Sequence, residues 1–171
     1  MNKNKKLIFK EKEKAFLRYC FVIFSSLLLV WSLYTKPKIY GDGWEYLGMT
    51  ISFANHASPD LLLKDISDRQ MIANENNLSL PESRECSGYF KSLNGNMYSY
   101  HFWFYSAVCT IPYLLLKLIG LNLLKVFQFT NSILIIVLFW WINYRSKQDI
   151  QVKIWLTIIL LFSPVWLYVP W

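Results

Sequence analysis

Two carboxylates three residues apart, in Gly41-Asp42-Gly43-Trp44-Glu45-Tyr46, are the part of this chain best suited to chemistry. The glycines on either side of Asp42 permit a tight turn. From Trp44 onward the apolar residues Trp44, Leu47 and Ile51 recur at spacings of three and four, which predicts a helix over residues 43–55. A carboxylate at the start of such a helix, next to a bilayer, can act as a general base or bind a divalent cation. The same spacing also fits a capping box, with Asp42 as N-cap and Glu45 reaching back to it. Acids there complement the helix dipole as well. On spacing alone the cap is the commoner arrangement, and the two roles are compatible because a capping Asp keeps a second oxygen.

Two histidines lie further along. His56, in Asn55-His56-Ala57-Ser58-Pro59-Asp60, follows the predicted helix, and Ser58-Pro59-Asp60 reads as a turn before a second helix from Asp60 to Ile66. His101, in Tyr98-Ser-Tyr100-His101-Phe-Trp, sits within an aromatic cluster at the mouth of an apolar run. Such clusters anchor proteins at membrane interfaces, and they can also contact a sugar or phosphate headgroup. His56, Tyr100 and His101 are therefore candidate substrate-binding residues, although a single loop histidine is most often merely solvated. Lys91 and Arg84 could pair with a phosphate, but isolated loop bases usually face water.

The elements that must position these groups belong to a membrane protein. Of 171 residues, 54% are hydrophobic and 18% aromatic, and they fall into long runs rather than amphipathic stripes. The runs cover residues 15–34, 102–119 (with Pro112), 123–142 and 152–169 (with Pro164). About 20 residues at ~1.5 Å each cross a ~30 Å hydrocarbon core. The expected fold is an all-α membrane protein with about four transmembrane helices. One long extracytoplasmic loop, residues 35–101, carries short juxtamembrane helices. The net charge of +7 is concentrated before the first run, in Lys3, Lys5, Lys6, Lys10, Lys12 and Lys14. This distribution argues for an N-terminus in the cytoplasm and against nucleic-acid binding. The first run ends at Trp31 and Tyr34 without a small-residue cleavage site, so it reads as an uncleaved anchor. Under this topology the turn at residues 120–122 is inside. The turn from Arg145 to Lys153 is outside, against its positive charge, unless the second run does not span.

Cys20 and Cys109 lie in apolar runs and Cys86 lies alone in the loop, so no metal or redox spacing exists. Residues 74–96, rich in Asn, Ser and Gly, read as irregular. Asn77-Leu78-Ser79 matches a glycosylation acceptor, a frequent chance occurrence. No P-loop, GxGxxG, HExxH or GxSxG is present. The chain stops at an aromatic belt, Trp166 to Trp171, which suggests a fragment of a longer protein.

The order of these parts resembles the N-terminal portion of GT-C-fold glycosyltransferases. These are polytopic enzymes that take sugar from a polyprenyl-phosphate carrier, and the likeness is to their mannosyltransferase-like and aminoarabinose-transferase-like branch. The resemblance rests on the basic N-terminus and first span, on Gly41-Asp42-Gly43-Trp44-Glu45-Tyr46-Leu47, and on the aromatic entry Tyr98-Ser-Tyr-His-Phe-Trp-Phe-Tyr-Ser. Ile111-Pro112-Tyr113, Phe127-Gln-Phe-Thr-Asn131 and Ser163-Pro164 complete it. It implies that Asp42 serves as catalytic base or metal-linked acid, with Glu45 as the secondary candidate and a divalent cation as candidate cofactor. It further implies a lipid-linked sugar donor and a multi-pass place in a bacterial cytoplasmic membrane. As a fragment, the chain would lack part of the carrier cavity. The competing expectation is a small membrane scaffold or assembly subunit that meets a protein partner through the 35–101 loop. Transport ranks lowest, because the runs hold few polar groups beyond Gln128 and Asn131.

Overall fold

The computed structural model describes residues 3–39, 41–78, 80 and 88–162. It is mostly helical and divides into two compact units. Cys86, Glu82, Arg84, Glu85, Ser79 and the stretch containing Pro164 lie outside the described residues.

The first unit combines Met1–Lys36 with Asn131–Pro170. Helix α1 (Lys3–Tyr34) starts well before the apolar run, so the basic lead-in is itself helical. Helix α5 (Val126–Trp140) ends in a single π-helical turn, Trp141–Arg145, and α6 (Ile150–Phe162) follows. Helices α1 and α5 run antiparallel. Phe24 packs edge-on against Phe139 at 5.0 Å between ring centroids, and Phe21 meets Tyr144 at 5.7 Å. Phe24, Leu28 and Phe139 are buried there, with Ile135, Ile136 and Leu160 around them. The outer faces are apolar too: Val22, Ile23, Leu27 and Val30 on α1, and Leu134, Val137 and Leu138 on α5, all point outward. A helix pair apolar on its inner and outer faces is suited to hydrocarbon rather than water.

Two helical stretches, Glu11–Tyr34 and Leu123–Arg145, are long and apolar enough to cross a membrane. Four were expected. The helices at the other two runs, Phe104–Leu118 and Ile150–Leu160, are apolar but shorter among the described residues. The Arg145–Lys153 turn lies at the same end of the helix pair as the N-terminal lysines, since Glu13 and Arg18 share a cavity with Asp149 and Lys153.

The second unit is Pro37–Thr130. It contains α2 (Gly43–His56), α3 (Leu63–Glu75), a hairpin of β1 (Tyr89–Lys91) and β2 (Met97–Ser99), and α4 (Phe104–Leu118). The strands pair antiparallel, Phe90 opposite Tyr98. Helix α2 matches the expected span within a residue, but its setting differs. It is not laid on a surface: Leu47 to Ser52 are all buried, and Leu47 and Ile51 join Ile72, Cys109, Tyr113 and Leu116 in one core. Its apolar face thus packs against α4. Helix α4, at 15 residues, is about 22 Å long, short of a ~30 Å core. The turn after it is tied to the end of α3 by a hydrogen bond from the Asn122 amide to the Asn76 side chain.

Candidate functional site

Three groups expected from sequence meet at the first turn of α2. Asp42 occupies the N-cap position, and its carbonyl accepts the N–H groups of Glu45 and Tyr46 at 3.0 and 3.1 Å. Its side chain makes no capping bond. Neither half of the expected capping box forms. The two carboxylates turn instead to a common partner, the imidazole of His101, delivered by the end of β2. His101 Nε2 lies 2.7 Å from Glu45 Oε2 and 3.4 Å from Asp42 Oδ2. The 2.7 Å separation is an ion-pair distance, and Oε2 is otherwise buried with no further partner.

The surroundings fix this geometry. Ser99 Oγ accepts the His101 N–H at 3.0 Å, and the Tyr46 ring lies 5.4 Å from the imidazole. The Tyr89 hydroxyl donates to the Glu45 carbonyl at 2.9 Å, and Ser106 Oγ donates to that of Tyr46 at 3.0 Å. Gly88 makes room for the carboxylate. A Cβ there would lie 1.9 Å from Glu45 Oε1, and its φ of +94° is already one that side chains disfavour.

Glu45 and Asp42 differ in environment. The Glu45 side chain is 12% exposed and that of Asp42 is 60% exposed. Burial pushes the Glu45 carboxyl above its ordinary value. The His101 ring opposes the shift, Asp42 adds to it and Arg69 opposes it.

Asp42 also lines a cavity of about 310 Å³, together with Lys38, Ile39, Gly43, Tyr46, Tyr105 and Phe127. Tyr105 stacks on Phe127 at 6.0 Å and meets Tyr46 edge-on at 5.8 Å. One wall is therefore aromatic, and the rim carries a carboxylate and an ammonium. Asp42, Glu45 and His101 each offer one ligand atom, all within 4.8 Å of one another. This set suits a divalent cation with O and N ligands. Tetrahedral ligands at ~2.0 Å stand about 3.3 Å apart, so the 2.7 Å Glu45–His101 contact must open to admit one.

His56 and Tyr100 stand apart from this cluster. His56, at the other end of α2, contacts Asp65 Oδ2 at 3.0 Å. Asp65 is fully buried. It also accepts from Asn55 Nδ2 at 2.8 Å, the Leu62 N–H at 2.8 Å and Ser52 Oγ at 3.3 Å. This network clamps α2 to α3. Tyr100 is exposed, and its ring packs on Phe90 at 5.3 Å. Sequence reasoning missed Lys38, Tyr46, Tyr105, Phe127 and Gly88. Only Tyr46, one residue beyond Glu45, carried a local signal. No family model matches the chain, and no curated protein and no solved structure matches it either.

Proposed function

We propose that the chain belongs to a membrane glycosyltransferase that moves a sugar from a lipid-phosphate donor to an acceptor hydroxyl. The observation that carries this reading is the convergence of Asp42, Glu45 and His101 beside a cavity with an aromatic wall and a cationic rim. Asp42, the exposed acid that lines the cavity, accepts the proton of the acceptor hydroxyl. The acceptor oxygen forms a bond to the anomeric carbon, and the anomeric carbon–oxygen bond to phosphate breaks. The carrier phosphate leaves with that electron pair, beside Lys38. Glu45 is a positioning residue that holds His101 next to Asp42. The sugar chemistry rests on the resemblance to GT-C enzymes; the acid–base chemistry rests on the cluster.

The membrane setting is supported by the two helical stretches, Glu11–Tyr34 and Leu123–Arg145, that are long and apolar enough to cross a bilayer. With the N-terminal lysines in the cytoplasm, the Arg145–Lys153 turn falls on that side as well, and both positive stretches obey the orientation rule. The Pro37–Thr130 unit is then extracytoplasmic, with α4 packed on α2 rather than spanning. An impermeant maleimide tests the sidedness in a background with Cys20, Cys86 and Cys109 replaced by serine. Gly41→Cys should label on intact cells, and Ser146→Cys only after permeabilisation; the reverse pattern contradicts the topology.

The enzymatic reading is tested with Glu45→Gln in membranes of expressing cells, supplied with a lipid fraction carrying radiolabelled polyprenyl-phosphate sugar. Loss of a positioning carboxylate costs about 10- to 100-fold in rate. Because the Glu45 carboxyl is raised above its ordinary 4.5, it takes up a proton at a higher pH than usual as the medium is acidified. The wild-type rate should therefore start to fall at a higher pH than that of Glu45→Gln, whose acid limb moves down. An unchanged rate and an unchanged limb would sink the reading and favour the scaffold.

A further inference from the structure

A second cavity, larger than the first, lies inside the helix-pair unit. It holds about 540 Å³ among α1, the π-helical turn and the start of α6. The volume is that of a small-molecule site. Its place in the fold is defined by Leu17, which lines it and is buried at the polar end of the apolar stretch of α1. The cavity therefore sits where hydrocarbon would give way to headgroups.

The lining is chemically specific. Arg18 and Lys153 supply positive charge from two different helices. Lys153 Nζ is held in place by donating to the Asn143 carbonyl at 3.3 Å, while Arg18 forms no ion pair among the described residues. Helix α6 begins here. Its first N–H groups lack intrahelical acceptors and carry the positive end of its dipole. Asn143, whose carbonyl fixes Lys153, is itself held by donating from Nδ2 to the Phe139 carbonyl at 2.8 Å. Glu13 and Asp149 also line the cavity. They oppose a second negative charge, and so favour a singly charged phosphodiester over a phosphomonoester, while accepting hydroxyls.

We infer that this cavity binds the headgroup of an anionic phospholipid with a hydroxylated, singly charged phosphodiester, as in phosphatidylglycerol. Arg18, Lys153 and the α6 N-terminus hold the phosphate, and the Glu13 and Asp149 carboxylates accept the headgroup hydroxyls. Basic pockets between membrane helices on the cytoplasmic side bind acidic lipids in this manner. The inference uses the membrane reading of α1 and α5 and is independent of the sugar-transfer reading.

The test is native mass spectrometry and thermal unfolding of the purified full chain in detergent. The titrants are phosphatidylglycerol, phosphatidylcholine and glycerol 3-phosphate. Phosphatidylglycerol should be retained at one per chain and raise the unfolding temperature, with phosphatidylcholine at least tenfold weaker. Arg18→Gln/Lys153→Gln should weaken phosphatidylglycerol at least tenfold. Arg18→Gln alone changes an exposed side chain, which keeps the result readable if the double variant unfolds, and should weaken it several-fold. Lys117→Gln, in the other unit, should leave binding unchanged. Equal retention of the two lipids, or wild-type affinity in both variants, would overturn the inference. So would glycerol 3-phosphate binding as tightly as the lipid, which would mark a site for a soluble phosphate.

Discussion

Asp42→Asn is expected to lower sugar transfer from the lipid-linked donor by about 10²- to 10⁴-fold, the usual contribution of a positioned acid or base. The substitution keeps the size of the side chain and removes its basicity. It should leave the fold intact, because the Asp42 side chain makes no capping bond and the first turn of α2 is held through the Asp42 carbonyl instead. The loss should therefore appear in turnover and not in thermal stability. An accompanying loss of stability of more than about 1 kcal/mol would mean that Asp42 caps the helix after all. Donor binding should change little, since Lys38 and the aromatic wall of Tyr46, Tyr105 and Phe127 are untouched. A raised KM with unchanged turnover would place Asp42 in binding rather than in the chemical step.

The second large effect concerns stability. Asp65→Ala should destabilise the α2–α3 pair by about 3 kcal/mol, because it strands several buried donors at once. The Leu62 N–H, Asn55 Nδ2 and His56 Nε2 all converge on this carboxylate within 3.0 Å. Asp65→Asn keeps the shape but loses the charge, and should cost less, about 1–2 kcal/mol. Burial alone would raise the Asp65 carboxyl. The hydrogen bonds from Asn55, Leu62 and His56 outweigh burial and hold it below its ordinary 3.8. A depressed carboxylate contributes stability that is complete above its unfolded value and is lost as pH falls through the folded one. The Asp65 contribution should therefore be flat from neutrality down to about pH 5 and disappear only below 3.8. Thermal unfolding followed by tryptophan fluorescence at several pH values reads both effects. Equal stability of Asp65→Ala and wild type would show that the clamp carries no weight.

These two sites differ in how far they could be read from the chain. The turn at Gly41-Asp42-Gly43 and the spacing of Trp44, Leu47 and Ile51 fix α2 locally, and its start and end agree with expectation to within a residue. The pairing of Asp42 and Glu45 with His101 is a long-range contact across 56 to 59 positions of the chain. Residue types named the partners, but no local rule joins them. The cap reading failed for a physical reason: the imidazole offers both carboxylates a partner that competes with backbone N–H groups. His56, a candidate substrate-binding residue by its loop setting, contacts Asp65 nine residues on, a pairing with no local signal in the chain.

The apolar runs were the least decisive. A run such as 102–119 is equally apolar whether lipid or α2 covers it, and periodicity does not separate these cases in a helix apolar on most sides. The helix at that run proves to be 15 residues long, with Ser106, Cys109, Tyr113 and Leu116 buried. The hairpin was legible and was missed. Asn94-Gly95 lies between short runs containing Tyr89, Phe90, Met97 and Tyr98, which is a hairpin signal; Gly95 adopts a φ of +87° and donates its N–H to the Ser92 carbonyl at 2.9 Å. The polar composition of residues 74–96 obscured it.

The most direct measurement compares initial transfer rates of wild type, Asp42→Asn, Glu45→Gln and the double variant in the same membranes, at one pH near neutrality. If the two acids work through one imidazole, the double variant should be no slower than Asp42→Asn alone, because the unit is already broken. Rates in all three variants equal to wild type, or losses that simply multiply, would contradict a single working cluster at the head of α2.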